Sequence, residues 1–183
     1  MGPGCVYAKG NLSLRGVTVT GCTTDRNVGG GVRTRHNLTM VNSTLAGNAE
    51  HDNAGGGGGW VDGDATISNS IIRGNVVTNG YSGLNPRAGG LYVGGNLHMA
   101  DSTISNNAAS SSGSNSAVFG GGIFVNGDSY IVRSVISGNS VSGADAYARG
   151  GGIYIGTAAG PTNYAYFGYS TLSGNSVGSS TTG

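Results

Sequence analysis

Charge is scarce in this chain. Of 183 residues only nine are Lys or Arg and eight are Asp or Glu, a formal net charge of +1. So weak a field does not gather phosphate backbones or an anionic membrane, and nucleic acid is not an expected partner. No apolar run approaches the ~20 residues of a membrane helix, so membrane insertion is not expected either. The opening Met-Gly-Pro-Gly has neither a charged n-region nor an apolar h-region. It reads as an expression start or the edge of a segment from a larger protein rather than as a signal peptide. Proline occurs three times, and the 38 glycines follow no Gly-X-Y period, which excludes collagen. No stretch carries a 3.6-residue apolar stripe, so helices are not expected.

Cysteine is nearly absent as well. Cys5 and Cys22 both lie near the start. Two free, buried thiols suit a narrow apolar core, and a disulfide across one turn of chain is the alternative.

What is present is repetition. Gly150-Gly-Gly-Ile-Tyr-Ile155, followed by Tyr166-Phe-Gly-Tyr-Ser-Thr-Leu-Ser-Gly-Asn175, has four clear copies upstream and a degenerate one from Gly4 to Cys22. The last glycine of each run falls at 31, 59, 90, 122 and 152, a period of 28 to 32 residues. A fixed period of this size indicates a solenoid, in which each repeat packs on its neighbours.

The second half of each copy aligns without gaps. Leu12, Leu38, Ala65, Leu97, Ser129 and Ala165 share one slot, and Leu14, Met40, Ile67, Met99, Ile131 and Phe167 share the slot two residues on. Val19, Leu45, Ile72, Ile104, Ile136 and Leu172 follow at a third. Period-2 spacing makes these short β-strands with alternate residues inward. Gly16, Asn42, Asn69, Asp101, Arg133 or Tyr169 stands between the two runs, where a bend is expected. Asn48, Asn75, Asn107, Asn139 and Asn175 share a slot after a Gly-type corner and are expected to form an inward ladder bonded to backbone. The glycine run then leads into a third strand.

Three strands and three corners per turn, over about six coils, define a parallel β-helix. The expected domain is residues 1–177, with 178–183 a frayed Gly/Ser/Thr tail. Segments after each Asn, such as Val76–Ala88 and Ala108–Phe119, read as variable inserts gathered along one edge. Within them Ser111 and Ser112 are expected to be inert. Neither end shows a cap, so further coils, or end-to-end or edge self-association, are expected.

The pairing of Gly-Gly-Gly-Ile-Tyr/Phe with Asn-Ser-Thr-Ile-Ser-Gly-Asn resembles the right-handed parallel β-helix repeats of bacterial proteins. Those include pectate-lyase-like surface proteins and passenger regions of polymorphic outer-membrane proteins. The resemblance spans about Gly4 to Asn175 and implies right-handedness and a secreted or cell-surface location. It also implies adhesion, carbohydrate binding or polysaccharide cleavage as the family's functions.

The chemistry-bearing residues do not converge in the alignment. Asp62 and Asp64 sit two apart, without a third carboxylate in neighbouring copies. His36, His51 and His98 fall at different slots without metal-ligand spacing. No serine aligns with a His–Asp partnership, and no Gly-x-Ser-x-Gly elbow occurs. The glycine runs are not followed by Lys-Ser/Thr and a helix, so they are not phosphate loops. No catalytic residue, metal or cofactor is expected; a polysaccharide lyase or hydrolase is the enzymatic alternative.

Two outward columns remain. Tyr7, Arg33, Val61, Tyr92, Phe124 and Tyr154 align after the inward slot of the third strand, and Tyr130 and Tyr166 lie on a neighbouring face. Aromatics of this kind stack sugars or contact a protein, or simply pack across strands. Thr18, Thr44, Thr103 and Thr171 form the other column, interrupted by Ile71 and Val135, as a mixed version of an ice-binding array. The leading expectation is a non-enzymatic extracellular or cell-surface scaffold, adhesive or structural, with a surface glycan or a host or neighbouring protein as partner. The alternatives are a carbohydrate-binding or polysaccharide-active β-helix, an ice-binding protein and a self-assembling module.

Overall fold

The computed structural model describes residues 4–143, 147–156 and 162–179. Every regular element among them is a β-strand. The chain is a right-handed parallel β-helix of six coils. Sheet A contains Val6–Ala8, Val32–Thr34, Gly59–Val61, Leu91–Val93, Ile123–Val125 and Ile153–Ile155. Sheet B begins with Leu12–Arg15 and ends with Ala165–Gly168, and sheet C runs from Thr18–Thr20 to Thr171–Ser173. These are the three strands per coil legible in the sequence.

A fourth strand joins them. Sheet D contains Thr23–Asp25, Ala49–His51, Val76–Asn79, Ala108–Ser111, Ser140–Gly143 and Ser176–Ser179. The inserts therefore begin with a regular strand. Gly178 and Ser179, expected to fray, pair with Ser142 and Gly143; residues 180–183 lie outside the described residues.

The corners follow from backbone chemistry. Gly16, Asn42, Asn69, Asp101, Arg133 and Tyr169 all have positive φ, between 46° and 65°. Asn and Asp tolerate this left-handed region best; Arg133 and Tyr169 are held there by the strands on either side. The glycine runs answer a steric need. A Cβ on Gly31 would meet the Gly58 carbonyl oxygen at 2.5 Å and Asn48 Cγ at 2.9 Å. Only glycine lets successive coils and the Asn amide approach so closely.

Register corrects one alignment. Val32 pairs with Gly59, and Gly59 with Leu91, so Gly59 fills an inward slot and Trp60 follows it. The outward column is Tyr7, Arg33, Trp60, Tyr92, Phe124 and Tyr154; Val61 is fully buried on the core side. The corner ends at Gly58, which stands where Gly31 and Gly90 stand, and the last glycine of the run belongs to the strand. A Cβ on Gly59 would come within 2.7 Å of Val32 Cγ2 and 2.9 Å of Leu91 Cδ1, so its neighbours occupy the missing side chain's space.

The main core is a column of stacked Leu, Ile, Val and Met, including Leu38, Met40, Ile67, Met99, Ile104 and Ile136. Cys5 and Cys22 are joined by a disulfide with a Cα–Cα distance of 5.7 Å, which overturns the free-thiol expectation. The physical reason lies in the slots. Cys5 stands where Gly31 stands one coil on, and Cys22 stands where Asn48 stands, and Gly31 and Asn48 are in close approach. Two sulfurs bridge this same gap in the first coil.

Two smaller cores lie beside the column. Val77, Ala109, Val118 and Val141 pack between sheet D and a two-stranded sheet E, formed by Ala117–Phe119 and Tyr147–Arg149. Ala88, Tyr92 and Phe124 form the other, with Trp60, Phe119 and Tyr154 against it. Ser111 is buried and accepts hydrogen bonds from Gly113 N and Asn79 Nδ2, each at 3.2 Å, so its replacement is expected to cost stability.

Candidate functional site

Three internal or corner ladders hold the sheets in place, and two of them had not been assigned from sequence. In the Asn ladder, Asn107 Oδ1 accepts from Asn75 N at 3.0 Å and from Asn75 Nδ2 at 2.9 Å. Asn107 Nδ2 in turn donates to Ile72 O and to Asn139 Oδ1. Asn48, Asn75 and Asn139 repeat the pattern, and Asn175 accepts from Asn139. A parallel ladder runs through Ser43, Ser70, Ser102, Ser134 and Ser170, each hydroxyl accepting from the backbone N–H of the preceding coil. A third stands on the outer corner between sheets A and B. There Asn11, Asn37, Asp64, Asn96 and Asp128 each accept from the next coil's backbone N–H. Each of these residues directly precedes the first aligned apolar slot, a signal present in the sequence and left without a role.

The aromatic column of sheet A is divided by the flaps, the segments that link each sheet D strand to the next glycine run. Tyr92 and Phe124 are buried, covered from the side by Ala88, Phe119 and Arg87. The guanidinium of Arg87 lies 5.2 Å from the Phe124 ring centre. Trp60 stacks on Tyr92 at 3.7 Å, and Phe124 on Tyr154 at 5.1 Å. This stretch is a second core, and its middle rings are not presented to a ligand. Tyr7, Arg33 and Trp60, in the first three coils, are left partly open.

Sheet B presents the open aromatic face. Its outward column reads Ser13, Thr39, Thr66, His98, Tyr130 and Tyr166. Tyr130 and Tyr166 stack at 4.8 Å with 10° between their planes, and about half of each is exposed. His98 tilts against Tyr130 at 6.2 Å. Together with Tyr164, Asn96 and Asp128 they line a shallow cavity of about 330 Å³. Asp128 Oδ1 accepts from Tyr164 N at 2.8 Å, and Asn96 Oδ1 accepts from Asp128 N at 2.9 Å. The ladder thus occupies one side-chain oxygen of each and leaves Asp128 Oδ2 and Asn96 Nδ2 at the exposed corner. Because Tyr130 and Tyr166 face each other, they offer edges and hydroxyls to solvent, and only the outer face of the stack suits ring-on-ring contact.

The threonine column stands on sheet C with Thr18, Thr44, Ile71, Thr103, Val135 and Thr171 in register. Ile71 and Val135 interrupt this column, and Ala46 and Arg73 stand on the outward column beside it.

The fourth strand brings together residues the sequence kept apart. Asp25, His51, Thr78 and Ser110 form one column of sheet D, and His51 Nδ1 lies 2.7 Å from Thr78 Oγ1. No hydrogen bond joins Asp25 to His51 among the described residues. No group of three or more His, Cys, Asp or Glu able to hold a metal occurs among them either.

Fold and surface define a class: a parallel β-helix with an exposed aromatic stack on sheet B. The chain matches no protein-family model, no curated protein and no solved structure.

Proposed function

We propose that the protein is a non-enzymatic extracellular or cell-surface β-helix scaffold whose sheet B face binds a glycan. The observation that carries this reading is the exposed Tyr130–Tyr166 stack beside His98, Tyr164 and Asp128. Aromatic rings supply contact area at low entropic cost, and the Asp128 carboxylate and Asn96 amide supply hydrogen bonds to sugar hydroxyls. The site is rigid before any ligand arrives, because every residue in it sits on a laddered strand or corner, which lowers the cost of binding. The disulfide supports an oxidising, extracellular setting. The repeat motif's resemblance to bacterial surface proteins points the same way.

A glycan-array screen, followed by titration with the best hit, tests this. Tyr130→Ala and Tyr166→Ala should each weaken binding about tenfold or more while leaving the melting temperature near that of the parent chain. Binding that is unaffected by both changes would remove sheet B from the reading.

A further inference from the structure

The first two coils carry a cationic group that the sheet B site does not use. Lys9, Arg15, Arg26, Arg33 and Arg35 supply five of the nine basic side chains, against Asp25, Glu50 and Asp52 in the same coils, and Asp62 of the third coil faces Arg35. Arg33 stands on the outward column of sheet A between Tyr7 and Trp60. It is half-buried, and its Nε is buried without a hydrogen-bond partner. The ion pair found among the described residues is Arg133–Asp101, on a different corner. A guanidinium drawn partly out of water with a donor unpaired is costly, and an anion with paired oxygens is its natural complement.

The surroundings suit a sugar ring carrying that anion. One face of the Trp60 indole rests on Tyr92, and on the other side its register neighbour is Arg33. Trp60 is fixed further by Nε1 donating to Asp62 Oδ1 at 2.6 Å. Arg35 Nε donates to the Tyr7 hydroxyl at 3.1 Å, which holds a second guanidinium beside the first. The short flaps before these coils leave the column open, whereas the longer flaps ahead bury Tyr92 and Phe124.

We propose that Arg33, with Arg35 and the partly exposed Trp60 ring, forms a site for an anionic saccharide, a sugar bearing sulfate or carboxylate. It lies on a different sheet from the tyrosine face and is selected by charge, so it goes beyond the function proposed above and does not depend on it.

Trp60 is the chain's single tryptophan, so intrinsic fluorescence reports on this site directly. The probes are dextran sulfate and unmodified dextran of equal length, a polyuronate, and inorganic sulfate alone. Dextran sulfate or the polyuronate should change Trp60 emission saturably, with the difference between them showing which anion the site prefers. Unmodified dextran should produce no change, and inorganic sulfate a weaker one. Arg33→Gln should weaken the response about tenfold or more, with Arg33→Lys intermediate because it keeps charge and loses the planar fork. Thermal melts of both variants establish that they are folded. Tyr130→Ala should leave the response intact. Equal responses to charged and neutral dextran, or an unchanged response in a folded Arg33→Gln variant, would overturn the proposal. Loss of the response in Tyr130→Ala would overturn it too, by assigning the signal to the sheet B face.

Discussion

At the scale of single residues, Glu50 is the anomaly. It occupies an inward slot of sheet D between Thr24 and Val77, is fully buried, and neither carboxylate oxygen has a hydrogen-bond partner. Burial, reinforced by the like charges of Asp52 and Asp25, pushes its carboxyl up to about 8 from an ordinary 4.5. The folded chain therefore holds a proton that the unfolded chain releases between those values. Stability from this residue is fully present below about pH 4.5 and is lost as pH rises through about 8, by up to roughly 5 kcal/mol. Thermal melts from pH 5 to pH 9 should show falling stability, and Glu50→Gln should flatten the slope. A parent chain whose melting point is unchanged across that range would contradict the assignment.

At the scale of the strand, what was legible depended on what filled the inward slots. Sheets B and C carry Leu, Ile, Val or Met in nearly every coil, so their spacing could be read directly. Sheet D carries Thr24, Glu50, Val77, Ala109, Val141 and Val177 inward. Polar and small residues erase the period-2 contrast there, and the strand passed for a variable insert. The hidden strand also concealed the Asp25–His51–Thr78 column, because those residues share a face only once sheet D exists. Gly59 misled for a related reason: a core slot without a side chain looks like part of a corner, and so Trp60 was missed and Val61 misplaced. Of the candidate site, Tyr130 and Tyr166 were visible as aromatics. Tyr164, His98 and Asp128 become partners only through stacking of the coils. The disulfide was legible only as the alternative to two free thiols, since its geometry depends on the Gly-to-Asn approach within a coil. Across a separation of 17 residues it should contribute about 3 kcal/mol. Denaturant melts with and without reductant should show that loss; equal midpoints would mean the bridge leaves stability unchanged.

At the scale of the whole molecule, the six coils form a graded column. Ile131, Ile136 and Val141 are fully or almost fully buried in the fifth coil, while their equivalents Phe167, Leu172 and Val177 are roughly half exposed in the sixth. Nearest-neighbour stacking gives each interior coil two interfaces, so the middle of the column is the most protected part. The Asn and Ser ladders impose the same order, since each rung is completed by the coil that follows it.

Those ladders carry a topological consequence. The bonds that hold one coil to the next run sideways, across the sheets, while the polypeptide itself crosses between coils only at a flap. The exposed stretch from Tyr81 to Asn85 is one such crossing. A protease site placed at Ser82 and Gly83 should therefore yield two chains that still migrate as one particle and part only in denaturant. Separation under native conditions would show that the thread, and not the lateral bonding, keeps the column together. If the nicked particle holds, the molecule is in effect a pile of separate rings, and its backbone continuity sets the order in which they are assembled more than the strength with which they stay.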